Sequence, residues 1–444
     1  MDLLRDKIRP LYFRYLAAAF GSALISSVYG IVDLAMVGKY QGAEGTAAIS
    51  LISPVWNILY SLGLLVGIGG AVLFSALRGE SPDNIRKSNE YFTAAAGGGA
   101  LALISWLGLI FFDRQLLLLF GANEALMPLA RAYLFPIKFG VPLFIFNQLL
   151  SAFLRNDGDP ALATKAVLFG GIFNVFGDYF CIFTLDMGIM GAGLATVVGS
   201  FFSLIIMLTH FFGKKNTLAL VRPQHFFRKL REIGSTGFST FFIDVAMGIL
   251  TIFFNRQVLR YFDTNALAVY GILAYVGTFA QCCAYSAGQA AQPIISVNFG
   301  AGDGRRIRQT LRYALITIAC FGVFWAGLSL AAPNLYIRLL TTPTAELLSI
   351  APTIIRRYGL SFLLLPLNIF STYYFQALLK RGTSFIVSVA RGAVISGILI
   401  YLLPAACGAD AIWFAMPITE LIVAVYAGVK IKQYTKQLPT ERTE

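Results

Sequence analysis

Long apolar runs alternate with short polar segments along the whole chain, and the runs are of helical length. They lie at residues 11–38, 46–75, 91–112, 123–153, 162–184, 191–212, 235–260, 265–297, 311–333, 347–378, 384–404 and 411–430. A run of about 20 apolar residues crosses the hydrocarbon core of a bilayer as an α-helix, with its backbone polar groups satisfied internally. A membrane β-barrel needs short strands of alternating polarity, which this pattern does not contain. The expectation is an all-α membrane protein with twelve transmembrane helices. Runs longer than a minimal span should tilt or bend.

The pattern also falls into halves. Pro142-Leu143 with Ile145-Phe146 returns as Pro366-Leu367 with Ile369-Phe370, and the same offset pairs Gly158 with Gly382 and Ala166 with Ala390. Gly67, Ser75 and Gly79 match Gly288, Ser296 and Gly300 at a slightly shorter offset. Between the halves lies a long basic connection, Lys214–Arg231. The prediction is an N-lobe over 1–212, a cytoplasmic linker over 213–234 and a C-lobe over 235–444. Six spans per lobe give both lobes the same orientation, which describes parallel repeats about an axis normal to the membrane. Two pseudo-symmetric six-helix lobes around a central cavity are expected. At the end of the linker, Phe226, Phe227 and Leu230 interleave with Arg228, Lys229 and Arg231. That spacing predicts an amphipathic interfacial helix with aromatics toward lipid and cations toward headgroups.

Composition sharpens the class. Hydrophobic residues make up 57% of the 444 and charged residues only 13%, against about a quarter charged in a soluble domain. The net charge is +13, but it is spread over short connections, which argues against nucleic acid as a partner. With the N-terminus inside, the inner segments carry 25 Lys and Arg residues, from Arg5 to Arg442. The outer segments carry five, Lys39, Arg114, Arg256, Arg260 and Arg338. This bias places both termini in the cytoplasm and makes anionic lipid a partner of the inner face. The first run is too long for a signal peptide and lacks a clear cleavage site. Cys181, Cys282, Cys283, Cys320 and Cys407 lie in or at the ends of apolar runs and read as packing residues. Neither they nor the two histidines, His210 and His225, have metal-site spacing. No Walker motif is present, so ATP-driven export by this chain alone is not expected.

Four acids interrupt the apolar runs: Asp33, Asp178, Asp244 and Glu420. Charge at membrane depth is costly and by default lines a cavity or a pathway. From the topology, Asp33 lies in the outer half of the first helix. Asn174 and Asp178 lie in the outer half of the fifth, on one face by their i, i+4 spacing, and Thr196 in the outer half of the sixth. Two carboxylates, an amide and a hydroxyl therefore share one depth. Two carboxylates in a semi-dry site disfavour double ionisation, so the pair should hold a proton or a cation. Asn174 and Thr196 supply neutral oxygens for either; mutual hydrogen bonding as interhelical glue is the plain alternative.

At this point IVDLAMVGKY around Asp33, FNVFGDYF around Asn174 and Asp178, GIMGAGLATVVG around Thr196 and GQAAQPIISVNFGAG at 288–302 resemble the multidrug and toxic compound extrusion (MATE) family over about residues 10–430. The resemblance implies an inner-membrane antiporter that exports amphipathic, mainly cationic organic compounds in exchange for H⁺ or Na⁺. It also implies that Asp33, Asn174, Asp178 and Thr196 form the coupling site. Such a protein is a transporter and not an enzyme, works without a cofactor, and is expected to be a monomer. Two features depart from the family pattern. The first run has no proline after Pro10, so a bend there must use Gly21 or Gly30, and the tenth run, LSFLLLPLNIFSTYYFQ, carries no acid.

Asp244 resembles an acidic position in some family members and reads as a substrate carboxylate or second cation ligand. Gln289, Gln292 and Glu420 are further candidates for substrate binding, with packing, helix kinking at Pro293 and interhelical hydrogen bonding as the alternatives. Arg131, Lys138, Arg356 and Arg357 near outer helix ends, and Arg391 near an inner one, read as snorkelling cations. The competing function is a flippase for a lipid-linked precursor in a related two-lobed superfamily. That function calls for basic residues to hold pyrophosphate, whereas the deep acids here favour organic cations. An ion channel would need a selectivity filter, and none is visible.

Overall fold

The structure is a computed structural model describing residues 2–119, 124, 126–340 and 344–439. Arg442, counted with the inner cations, lies outside the described residues. These residues contain no β-strand. Helices long and apolar enough to cross a membrane run over Ile8–Gly42, Glu44–Glu80, Pro82–Phe111, Met127–Asn156, Pro160–Thr184, Gly188–Phe212, Phe226–Tyr261, Thr264–Gly300, Gly304–Ala331, Ala345–Ala377, Arg381–Cys407 and Ala409–Lys436. They number twelve, in the order that the apolar pattern predicts. Gly42 separates the first two at φ 64°, ψ −149°, a conformation that a β-carbon disfavours. The first span runs helical through Gly21 and Gly30.

The chain forms two compact units. One comprises Met1–Asp6 and Ala17–Phe241, the other Lys7–Leu16 and Phe242–Glu444. In the first unit, the sixth span packs against the fourth and fifth. Small residues allow the close approach. A methyl group at Gly199 would sit 2.5 Å from the Gly170 carbonyl oxygen, and one at Gly193 would sit 2.4 Å from that of Tyr133. Ser203 Oγ donates to the Ala166 carbonyl at 2.6 Å, and Asn147 Nδ2 to that of Ser200 at 2.9 Å. The first span is tied to the fifth through Thr164, whose hydroxyl lies 2.7 Å from the Ala18 carbonyl and accepts from Ser22 at 3.2 Å.

The connection between the sixth and seventh spans is pinned to the first unit by polar side chains. Asp157 accepts from the Thr217 amide at 2.9 Å, bonds His210 Nε2 at 2.8 Å, and is reached by the Thr217 hydroxyl and by Arg78. Asn89 both donates to the Thr217 carbonyl and accepts from the Ala219 amide. No separate interfacial helix follows. Phe226 opens the seventh span itself, and Phe226 and Leu230 lie against Gly97 and Gly98 of the third span. Lys229 pairs with Glu90 at 3.3 Å. Phe227, 78% exposed, and the exposed Arg228 and Arg231 keep the outward orientation expected for the group, while Phe226, Lys229 and Leu230 are half-buried.

The basic residues read as snorkelling also have specific partners. Lys138 and Arg131 both bond Asp113, at 2.6 and 3.0 Å. Burial alone pushes the Asp113 carboxyl up, but the two cations outweigh it and hold it below the ordinary carboxylate range. Arg357 pairs with Asp410 at 2.7 Å, and Arg356 donates to the Leu330 carbonyl. Arg391 is buried within the second unit rather than reaching an interface.

Candidate functional site

The first, fifth and sixth spans bring Asp33, Asn174, Asp178 and Thr196 together. Thr196 is the hub. Its hydroxyl accepts from Asn174 Nδ2 at 3.2 Å and lies 3.2 Å from Asp33 Oδ2 and 3.0 Å from the Ala192 carbonyl. One hydroxyl proton serves either acceptor, not both. Asn174 and Asp178 are the neighbours whose side chains act most directly on the buried Asp33 carboxyl, together with Thr196. Asp178 is 0% exposed and Asp33 6%. Gly199 contributes directly, since its missing side chain leaves room for Asn174. Directly after Asp178 the helix widens into a π-turn over Phe180–Thr184, a local irregularity often found at functional sites.

The chemistry follows from the donor count. Ionised carboxylates offer only lone pairs to one another, so two of them buried as neighbours call for a proton or a cation. Asp33 Oδ1, both oxygens of Asp178 and Asn174 Oδ1 are buried with no donor among the described residues. The group is entirely oxygen-based, which suits a proton or a hard cation and not a soft metal. No cluster of three or more His, Cys, Asp or Glu able to hold a metal occurs among the described residues.

Sequence reasoning missed Tyr133 and Tyr29. The Tyr133 hydroxyl lies beside Thr196 and Trp56, in electrostatic range of both carboxylates, and Tyr29 neighbours Asp33 on the first span. Tyr29 was detectable by its spacing of one turn from Asp33. Tyr133, on the fourth span, carried no signal, because its register against the sixth span depends on Gly193.

In the second unit the candidates separate. Asp244 accepts from the Tyr285 hydroxyl at 2.7 Å. Gln292 Nε2 donates to Ser296 one turn along its own helix, ahead of Pro293, while Gln289 is half-buried. Glu420 bonds Arg391 Nε at 2.8 Å through Oε1 and Asn368 Nδ2 at 2.6 Å through Oε2. Both carboxylate oxygens of this fully buried acid are thus engaged by protein.

Twelve helices of membrane-spanning length in two units, with a buried acid–amide–hydroxyl cluster in the first, define a polytopic membrane protein. The MatE family model matches residues 18–180 and again residues 240–402, and the chain belongs to the MatE (MATE) family of transporters. It is 25% identical to the multidrug export protein MepA of Staphylococcus saprophyticus over 426 residues, 95% of this chain and 93% of the relative. MepA of Staphylococcus aureus is likewise 25% identical, over 425 residues. Among solved structures, an outward-facing multidrug resistance MATE family transporter of the MOP superfamily superposes with a TM-score of 0.87. Its sequence identity is 20%, with 98% of each chain covered. A MOP superfamily transporter from Pyrococcus furiosus gives the same TM-score at 19% identity, again over 98% of each chain. The matches confirm the twelve-helix fold.

Proposed function

We propose that this chain is a cation-coupled antiporter of the cell (inner) membrane, with cytoplasmic termini, that exports amphipathic, mainly cationic organic compounds. The observation that carries the proposal is the buried cluster of Asp33, Asn174, Asp178 and Thr196, with its donor-less carboxylate oxygens. A proton or Na⁺ taken up there changes the charge of the N-lobe site, and coupling follows if that ion and the exported compound favour different conformations. Thr196 orients the Asp33 carboxyl, and Asn174 orients Thr196. Asp244, partly exposed beside Tyr285, is the acid best placed in the second unit to meet a cationic ligand. Glu420 and Gln292 serve packing there. The flippase reading receives little support, because Arg391, deep in the second unit, is neutralised by Glu420.

The test is transport in proteoliposomes with H⁺ and Na⁺ gradients imposed separately. One gradient should drive export of a lipophilic cationic dye by the wild type, and neither should drive it in Asp178→Asn. Equal export of a matched anionic dye, or wild-type ion dependence in Asp178→Asn, would sink the proposal.

A further inference from the structure

At the end of the second unit where the ninth span begins and the twelfth ends, a groove of about 590 Å³ opens to the outside. Its floor is apolar, made by Leu311, Leu315, Leu367 and Ile431. Its rim carries Arg308, Lys432 and Lys436. None of the three has a carboxylate within ion-pair distance among the described residues. Arg308 is held in place by neutral acceptors, the carbonyls of Pro439 at 2.8 Å, Leu438 at 3.2 Å and Thr435 at 3.4 Å. The last turns of the twelfth span are fixed as well. Thr435 shares a hydrogen bond with the Tyr374 hydroxyl at 2.7 Å, and Tyr434 one with Thr383 at 2.8 Å. Gly428 keeps the groove open, since no atom lies within 4 Å of where its β-carbon would stand.

The ninth span lines the groove over residues 308–315 and the twelfth over residues 428–436, each about 10–12 Å of helix. The cations cluster at one end of that length and the leucines extend from it toward the membrane interior. We propose that this groove binds an anionic phospholipid, its phosphate between Arg308, Lys432 and Lys436 and one acyl chain along Leu311, Leu315 and Leu367. Three cations with no carboxylate in ion-pair distance among the described residues make a zwitterionic headgroup the poorer match. The apolar floor sets the site apart from a diffuse basic surface, because it rewards a chain as well as a charge.

The experiment uses the full-length protein in vesicles of phosphatidylcholine containing a small fraction of photoactivatable phosphatidylglycerol, or of photoactivatable phosphatidylcholine as the control. Crosslinks are mapped by mass spectrometry. The phosphatidylglycerol probe should label the segments around residues 308–315 and 428–436 in preference to the phosphatidylcholine probe. Lys432→Gln/Lys436→Gln should cut that labelling about tenfold or more, since a lysine near an anionic surface contributes about fivefold. Gly428→Leu fills the groove without touching charge and should cut it as strongly. Soluble glycerol phosphate should not compete, because it lacks the chain. Equal labelling by the two probes, unchanged labelling in the lysine double variant, or competition by glycerol phosphate alone would overturn the proposal. Full labelling in a folded Gly428→Leu protein would do so too, by reducing the site to surface charge.

Discussion

Arg391 Nε meets Glu420 Oε1 at 2.8 Å, and the two side chains are 5% and 0% exposed. The pair engages one carboxylate oxygen of a fully buried acid, and Asn368 engages the other. It also explains how an arginine is retained there without reaching an aqueous face.

Removing one partner should therefore be worse than removing both. Glu420→Ala leaves a buried guanidinium uncompensated, a change typically costing about 3–5 kcal/mol. Glu420→Met/Arg391→Met should recover most of that loss. Thermal unfolding of the purified variants checks this. Altered drug affinity in Glu420→Gln at unchanged stability would instead return Glu420 to the ligand set.

The Asp33–Asp178 pair should behave as one titrating unit. Asp178→Asn and Asp33→Asn should each abolish ion-driven export while the protein remains folded, and the double variant should be no worse than either. Thr196→Ala removes the hydroxyl that accepts from Asn174 and faces Asp33 but leaves both carboxyls, so export should fall less than in either aspartate variant. Asp244→Asn should shift drug selectivity while leaving ion dependence in place. Drug binding measured across pH and Na⁺ titrations separates these outcomes.

The coupling site depends on glycine contacts that carry no charge. A methyl group at Gly199 would lie 2.5 Å from the Gly170 carbonyl and 3.0 Å from Asn174 Cβ. Gly199→Ala must push the fifth and sixth spans apart, at about 1–3 kcal/mol, and should weaken ion coupling more than drug binding. Gly30→Ala, with nothing within 4 Å of the new methyl, is the control and should transport normally.

Asp113 predicts a pH dependence. Lys138 and Arg131 hold its carboxyl below the ordinary range despite burial. Its contribution to stability is therefore complete above the unfolded-state value of about 4 and disappears as the pH falls through the lowered folded-state value. Asp113→Asn should lower the melting temperature at pH 7, and the gap from wild type should close only under strongly acidic conditions. A gap that stays constant from pH 7 down through pH 3 would rule out the ion pairs as its source.

The sequence by itself determined the number and order of the spans, because apolar length against bilayer thickness is a one-dimensional quantity. It also contained the internal repeat, and the double match of the family model to residues 18–180 and 240–402 bears this out. Depth along each helix brought Asp33, Asn174, Asp178 and Thr196 to one level, and the structure joins them. Tertiary structure decided what depth cannot express, namely rotation and adjacency. Tyr133 belongs to the cluster because Gly193 lets the fourth and sixth spans touch. Glu420 is ion-paired because Arg391 faces it across the eleventh and twelfth spans. Phe226 and Leu230, amphipathic by pattern, lie on Gly97 and Gly98 because a bare glycine surface accepts them. In each case the deciding atom is on another helix, and a partner brought close only by packing leaves no periodic trace in the chain that meets it.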